Sequence, residues 1–260
     1  MSEDKCDALS IALTTNRETL ARRWKKSSAF FLVSYFLVLA GCAGGGGALF
    51  QSLQAAGRQM RAGVDGDGVP QHPDPRFRYL RVEVPGLTPA MWVLAYVDGH
   101  PMGDIEVWYS AASQVIKLQN GRVVATRGLA VDWPAVRFLS MPPAWAALAL
   151  GEHALGAAWE REHDELPSYR FGARERLVLQ RAPQAPVWIN TGAFTAEESQ
   201  RYAWFSETAT PQGGQSGGVM TNWYAWGMHL GQHKVVYSVQ CLKPDFCLRV
   251  QPWPVQENAS

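Results

Sequence analysis

Short apolar or alternating segments, separated by strong turn signals, constrain the fold of this chain more than any other feature. They run from Phe77 to Gln251, and turn pairs such as Asp98-Gly99 and Asn120-Gly121 lie between them. Strands of this length between turn residues are typical of antiparallel sheets. The sequence therefore predicts a mainly β domain, an antiparallel β-sandwich or barrel-like sheet with a few short helices.

The individual segments follow from periodicity and from turn and capping residues. The predicted strands are 78–84, 92–97, 105–109, 115–119, 122–126, 157–161, 169–180, 202–206, 234–240 and 248–251. A short helix is predicted over 143–150. Thr195-Ala196-Glu197-Glu198 fits a capping box, which predicts a helical turn just before the strand at 202. Residues 213–218 are glycine-rich and are predicted to form a loop.

The hairpin around Asn120-Gly121 is the clearest local prediction. Both residues tolerate the positive φ that the two central positions of a type I′ turn require. A two-residue loop fixes which side chains share a face. The predicted apolar face pairs Leu118 with Val123 and Ile116 with Ala125. The opposite face, predicted to be mostly solvated, consists of Lys117, Gln119, Arg122 and Val124.

The N-terminal region carries a basic segment, an apolar run and then Leu39-Ala40-Gly41-Cys42. This order is that of a secretory signal ending in a lipobox, which predicts that residues 1–41 are removed and that Cys42 is diacylated. The alternative is an uncleaved membrane-spanning helix, because residues 29–50 carry no charge. Gly41 and the glycines at 44–47 weigh against that helix. Both interpretations place the rest of the chain outside the cytoplasm.

The remaining chain divides into a leader and a domain. Residues 42–75 are predicted to be a lipidated flexible leader, with a short helix over 48–62 and a turn-rich linker over 64–75. Residues 76–260 are predicted to be a β domain facing the periplasm. In a Gram-negative cell, Ala43 directly after the cysteine favours the outer membrane. The formal net charge of the whole chain is +1, which argues against a nucleic-acid partner or a polybasic membrane patch.

Two cysteines, Cys241 and Cys247, remain for the domain. An even pair in an exported protein predicts a disulfide, which here closes a short turn. A metal site is the alternative, but no other cysteine and no suitably placed histidine completes a tetrahedral set. No metal and no cofactor is therefore expected.

Two motifs raise the question of catalysis. Ser216 fits G-x-S-x-G, but no strand runs directly into it and no acid separates it from His229 or His233, so a flexible loop is favoured. The run Glu160-Arg161-Glu162-His163-Asp164-Glu165 is densely acidic. Paired carboxylates can hydrolyse glycosidic bonds, and carboxylate oxygens can hold a divalent cation. A solvated face is the simpler interpretation of this run, since Arg161 and Arg170 lie nearby.

Aromatic content gives the second functional hypothesis. Ten of the eleven tryptophans follow Cys42. Tryptophan offers a broad face and an N–H donor, which suit stacking on sugar rings. In an extended segment, Trp223 and Tyr224 lie on opposite faces, so Trp223, Tyr224 and Trp226 form a candidate glycan or partner surface. Core packing is the competing interpretation, and it must account for Trp92 and Trp108 within apolar strands.

The segment 79–129 resembles a known family. A strand ending in Leu94-Ala95-Tyr96, then Trp108-Tyr109-Ser110, the turn Asn120-Gly121-Arg122 and the pattern V-x-x-T-x-G-L follow one another. Together with the lipobox they resemble the YjbF/GfcB-type lipoproteins of exopolysaccharide and group 4 capsule operons. The resemblance implies a small outer-membrane lipoprotein with a mostly β fold and a role in producing or exporting polysaccharide. The residues after 129 follow the pattern more weakly.

The resemblance also implies partners. Members are usually encoded beside an outer-membrane barrel protein and other periplasmic secretion components, and the family brings no established catalytic residues. We therefore expect a non-catalytic lipoprotein that supports polysaccharide export as a scaffold, or as a module that binds glycan or an export protein. The alternative is a glycan hydrolase that uses the acidic run from Glu160 to Glu165.

Overall fold

The computed structural model describes residues 74–151, 157–187, 196–214 and 217–253. The predicted signal at 1–41, Cys42, and the predicted helix over 48–62 lie outside these residues. The described strands are β1 Tyr79–Glu83, β2 Ala90–Asp98, β3 Ile105–Tyr109, β4 Val115–Gln119, β5 Arg122–Arg127, β6 Val136–Phe138, β7 Ala157–Glu165, β8 Arg170–Ala182, β9 Ala203–Pro211, β10 Met220–His229, β11 Gln232–Lys243 and β12 Phe246–Trp253. The helices are α1 Trp145–Ala149 and α2 Ala196–Gln200.

The twelve described strands form one antiparallel sheet in the order β5-β4-β3-β2-β1-β12-β11-β10-β9-β8-β7-β6. The first strand pairs with the last, so the sheet continues from the N-terminal to the C-terminal half without a break. Its two edges then approach each other, since the backbone N–H of Thr126 in β5 donates to the carbonyl of Trp133, just before β6, at 2.7 Å. The sheet is thus a nearly closed barrel, and the predicted fold class is confirmed.

Because neighbouring strands run in opposite directions, the loops gather at two ends of the barrel. One end carries the turns β1–β2, β7–β8, β9–β10 and β11–β12, and we call it the disulfide end. The other carries the turns β2–β3, β4–β5 and β10–β11, the start of β1 and helix α1, and we call it the helix end.

Most predicted segments correspond to observed elements, with shifted boundaries. The strand predicted over 105–109 matches β3, and the strand predicted over 157–161 continues to Glu165. The helices predicted near 143–150 and 195–198 are α1 and α2. In the described part of the chain no helix is both long and apolar enough to cross a bilayer.

Large apolar side chains fill the interior of the barrel. Trp92 and Trp108 lie there, as the core interpretation of these two residues requires. The same cluster includes Leu80, Ile116, Trp133, Trp159, Leu177 and Leu248. Burial of such side chains is the main favourable contribution to folding a domain of this kind.

Cys241 and Cys247 lie directly opposite each other on β11 and β12, and their sulfur atoms are bonded. The bond joins two neighbouring strands close to the β11–β12 turn. Within the described residues, no group of three or more histidine, cysteine, aspartate or glutamate side chains is arranged to hold a metal ion.

The predicted Asn120-Gly121 hairpin is present, with φ of 50° and 77° at its two turn residues. Leu118 pairs with Val123 as predicted, but a bulge follows, and Ile116 pairs with Thr126 rather than with Ala125. The bulge inserts one residue into β5, which changes the register beyond that point.

The prediction of a solvated face on this hairpin is wrong for Gln119, Arg122 and Val124, all of which are buried. The reason is a contact with a part of the chain that is distant in sequence. The tip of the hairpin packs against the opposite wall of the barrel, where Gln240 of β11 accepts a hydrogen bond from the Val123 N–H at 2.8 Å. Gln119 in turn donates to the carbonyl of Gly103 at 2.7 Å.

Gly121 is expected to tolerate no side chain. An added Cβ would lie 2.5 Å from Cβ of Val235, whereas at Gly231 it would meet nothing within 4 Å. Both glycines have a φ of 77°. We expect Gly231→Ala to cost about 1 kcal/mol for the backbone alone, and Gly121→Ala to cost a further 1–3 kcal/mol, roughly, for the collision.

Urea unfolding of the two variants provides the measurement, and Gly231→Ala is the matched control. Equal losses of stability would mean that the hairpin tip does not press against β11.

Candidate functional site

A buried ion pair connects the edge strand β5 to the far wall of the barrel. Nε of Arg122 lies 3.3 Å from Oε2 of Glu207 in β9, and the two side chains are 4% and 0% exposed. The other carboxylate oxygen of Glu207 accepts hydrogen bonds from Asn222 at 3.2 Å and from the Tyr224 hydroxyl at 3.0 Å. Each oxygen of the buried carboxylate therefore has a partner, as a buried charge requires.

The network continues to Gln240. Its side-chain N–H donates to the carbonyl of Gly121 at 2.9 Å, and its oxygen accepts from Tyr224 at 3.3 Å. Burial, together with the nearby charge of Glu207, raises the pKa of Tyr224 well above its ordinary value. Tyr224 therefore stays protonated and donates hydrogen bonds at any physiological pH.

Helix α1 covers the helix end of the barrel because its tryptophan binds this network. The Arg122 guanidinium lies 3.9 Å from the ring centroid of Trp145, a cation–π contact, and Trp145 Nε1 donates to the carbonyl of Asn120 at 2.8 Å. A five-residue helix without a side-chain cap is unstable on its own. Its position is set by the burial of Trp145 and Leu148 in the barrel.

Beside α1 lies a cleft of about 420 Å³, which we call the aromatic cleft. Four tryptophans from four different elements line it: Trp108, Trp145, Trp226 and Trp253. Its polar lining includes Glu106, Asn120, His229, His233 and Lys234. Trp108 and Trp145 are buried, so Trp226 and Trp253, which are partly exposed, supply the accessible indole surface. Indole faces beside a few converging polar groups are typical of sites for small organic ligands, including sugar rings.

The electrostatics of the aromatic cleft favour neutral hydrogen-bonding partners. Burial, helped by the positive charges of Lys234 and Arg78, lowers the pKa of His229 to about 4. At neutral pH its imidazole therefore offers one donor and one acceptor. The Trp226 ring stacks on His233, with centroids 4.7 Å apart and planes at 17°. The cleft can thus bind hydroxyl groups on a surface held in place by stacked rings.

The structure separates the three residues predicted as a glycan or partner surface. Trp226 lines the aromatic cleft. Tyr224 is fully buried in the Glu207 network, so its assignment to a surface is wrong. Trp223 lies on the outer face of β10, where it packs with Val239 and Ala225. A bulge in β11 shifts the pairing of β10 with β11 from Trp226 onward, which the sequence alone did not reveal.

The acidic run 160–165 forms part of β7, and strand alternation divides it between two faces. Arg161, His163 and Glu165 are buried. Glu162 lies on the outer face, where it forms ion pairs with Arg137 and Arg174. Glu160 and Asp164 alternate onto the same face as Glu162, so the strand separates only Glu165 from the other three carboxylates of the run. Ser216 lies outside the described residues.

Inside the barrel, β7 contributes a second buried ion pair. Nε of Arg161 lies 2.7 Å from Oε2 of Glu175 in β8, and the Arg161 guanidinium lies 4.6 Å from the ring centroid of Trp133. The His163 ring stacks on the same indole at 4.2 Å. Burial is the main cause that lowers the pKa of His163 to about 4, so the ring is neutral at pH 7.

Sequence reasoning missed both buried ion pairs, although the sequence contains a signal for each. Val123-Val124-Ala125 is apolar on both faces of its strand, which is typical of a strand buried on both sides. In the acidic run, Trp159 continues the alternation of Arg161, His163 and Glu165, and a tryptophan on that face indicates an interior face.

Comparison with known proteins gives a family match and a structural match. The model of a protein family described as "Group 4 capsule polysaccharide lipoprotein gfcB, YjbF" matches residues 68–247. Among solved structures, the hypothetical lipoprotein YmcC from Escherichia coli K12 has a TM-score of 0.52 and 17% sequence identity, over 81% of this chain and 93% of that one. At this identity the likeness supports the fold alone. No curated protein sequence matches the chain significantly.

Removal of one member of the Arg122–Glu207 pair is expected to be far more harmful than removal of both. Glu207→Gln leaves the Arg122 charge buried without its counter-ion, which we expect to lower the free energy of unfolding by about 3–5 kcal/mol. In Arg122→Met/Glu207→Gln neither charge remains, so the loss should be smaller than the sum of the two single losses.

A double-mutant cycle in urea measures this coupling. The exposed pair of Glu197 in α2 and Arg201 just after it, at 2.8 Å, is the control and should show a coupling of about 0.5 kcal/mol or less. Additive losses at Arg122 and Glu207 would contradict the role given to the pair.

His163 is expected to make the protein acid-sensitive. Its pKa is about 4 in the folded protein and near 6.5 when unfolded. The unfolded chain therefore takes up the proton first, and stability is lost as the pH falls from about 6.5 to 4, by up to roughly 3 kcal/mol. The free energy of unfolding of wild type and of His163→Phe, determined at a series of pH values, measures this loss. Between about pH 6.5 and 4 the variant should lose less stability than the wild type. If both proteins lose stability equally over this range, His163 is not the cause of the acid sensitivity.

Proposed function

This chain belongs to the YjbF family of group 4 capsule polysaccharide lipoproteins, and we propose that it supports the export of capsule or exopolysaccharide without catalysis. In this proposal Cys42 is diacylated and anchors the protein to the outer membrane. The β domain faces the periplasm and holds the polymer near its point of exit, beside an outer-membrane barrel protein or another export protein.

The observation that carries the glycan-binding part of the proposal is the aromatic cleft. The partly exposed indoles of Trp226 and Trp253 lie there beside the buried Trp108 and Trp145, in a cleft of about 420 Å³. Apolar C–H faces of a sugar ring pack against indole rings, and sugar hydroxyls exchange hydrogen bonds with neutral imidazole and amide groups. Burial of the aromatic rings around the Arg122–Glu207 network holds the floor of the cleft in one geometry, which lowers the entropic cost of binding.

Tethering is part of the proposed mechanism. Two acyl chains at Cys42 would provide the stable attachment that a single chain does not, and the anchor would confine the β domain to the membrane through which the polymer leaves.

The proposal predicts a specific pattern of complementation. Deletion of the gene is expected to lower secreted polysaccharide, and the wild-type gene to restore it. Cys42→Ala should fail because the domain is no longer anchored. Trp226→Ala should fail because the cleft loses its stacking surface, whereas Trp223→Ala, on the outer face of the same strand, should restore secretion.

Secreted polysaccharide is measured by mass and by chain length, with the amount of each variant in the envelope checked by immunoblot. Full secretion by the deletion strain would contradict the proposed function. Restoration by Trp226→Ala would remove the role of the cleft but not that of the anchor. Shortening of purified polymer by purified wild-type protein would favour the hydrolase alternative.

A further inference from the structure

A second cavity, of about 570 Å³, lies at the disulfide end, opposite the aromatic cleft. Three segments form its walls: the β7–β8 turn, the loop before β10 and the β11–β12 turn with Lys243 and Pro244. His163, Met220 and Leu242 also line it. Its volume falls within the range of small-molecule sites, about 300–1,000 Å³. We call it the basic cavity.

A buried carboxylate organises the basic cavity. Glu165 is 2% exposed, and it accepts hydrogen bonds from the Ser168 hydroxyl at 2.7 Å and from Arg170 at 2.5 Å. Nζ of Lys243 lies 3.0 Å from Oε1 of Glu165, the same oxygen that accepts from Ser168. Burial alone would raise the pKa of Glu165, but the hydrogen bonds from Ser168 and Lys243 and the charge of Arg170 lower it. The ionised carboxylate therefore holds Lys243 and Arg170 at the cavity wall.

The lining carries more positive than negative charge. Arg170 and Lys243 share one carboxylate, that of Glu165. Arg174 and Glu175 also line the cavity, but each has a partner outside it, and that of Arg174 is Glu162 on the outer face. Glu175 is already neutralised from behind the wall by Arg161, at 2.7 Å. His163 adds no charge at neutral pH. A ligand that enters the cavity therefore meets a surplus of cationic donors, of which Lys243 is one third exposed and within reach.

The rim of the basic cavity is closely packed. A Cβ on Gly218 would lie 2.7 Å from Cγ of Pro244, and a Cβ on Gly217 would lie 3.1 Å from Cγ of Pro211. Only glycine allows the loop before β10 to approach these two prolines so closely. Gly217 and Gly218 therefore lie against one proline ring of β9 and one of the β11–β12 turn, which fixes this part of the rim.

We infer that the basic cavity binds a carboxylated sugar, a hexuronate unit of the polysaccharide. Its carboxylate forms a charge-assisted hydrogen bond with Lys243, and its ring packs on the exposed side chains of Tyr169 and Pro244, which line the cavity. The identification of the ligand as a sugar rests on the proposed function, whereas its negative charge follows from the lining alone.

Titration of the full lipidated chain in detergent micelles with methyl glucuronide, followed by calorimetry or by NMR shifts, tests this inference. Lys243→Met keeps the apolar stem and removes the charge, so affinity should fall tenfold or more. Lys243→Arg should retain binding within a few-fold. Lys117→Met, at an intermediate-exposure site on β4 that does not line the cavity, is the matched control and should bind like the wild type.

Methyl glucoside and inorganic phosphate are the comparison ligands, and both should bind at least tenfold more weakly than the glucuronide. Equal binding of the glucoside, tighter binding of phosphate, or glucuronide binding that survives Lys243→Met would each overturn the inference. If deletion abolishes polysaccharide secretion but no glucuronide binds, only this inference fails. If the glucuronide binds but deletion has no effect, the proposed function fails and the anionic-ligand site stands.

Discussion

The Arg122–Glu207 ion pair is the contact on which the architecture depends. A sheet of twelve strands has two edges, and an unpaired edge exposes a row of backbone donors and acceptors. Here the edge strand β5 is drawn against β9 and β11, where Glu207 and Gln240 receive its guanidinium and its backbone N–H. Burying an ion pair removes both charges from water, and their Coulomb attraction alone rarely offsets the free energy of hydration that is lost. What it provides is a fixed register, since the charges meet only in one arrangement of the curled sheet.

Tryptophan rings make both buried ion pairs tolerable. Trp145 covers the guanidinium of Arg122, and Trp133 covers that of Arg161. One terminal nitrogen of each guanidinium is buried with no hydrogen-bond partner among the described residues, so the indole face replaces the water that it lost. The abundance of tryptophan in this chain therefore has two physical causes. Some indoles shield buried cations, and others, such as Trp226, line the aromatic cleft.

Local features of the fold could be predicted from the sequence, and features decided by tertiary contacts could not. The Asn120-Gly121 turn and the strand after it follow from residues that are neighbours in the chain. The burial of Arg122 depends on Glu207, 85 positions later, and no local pattern contains that distance. The burial of Tyr224 is equally invisible in the sequence, because it depends on the hydrogen bond from its hydroxyl to Glu207, which lies on another strand. The aromatic cleft could not be predicted either, because its tryptophans come from four elements that are distant in sequence and lie together only in the folded barrel.

The two ends of the barrel differ in chemistry because their buried charges are balanced differently. At the helix end, α1 brings the indole of Trp145 onto a network whose one buried charge pair, Arg122 and Glu207, is internally balanced. At the disulfide end, the single carboxylate of Glu165 holds two cationic side chains, Lys243 and Arg170, at the cavity wall. Each end therefore suits a different kind of group: sugar hydroxyls beside the indoles at the helix end, and an anion beside Lys243 at the disulfide end.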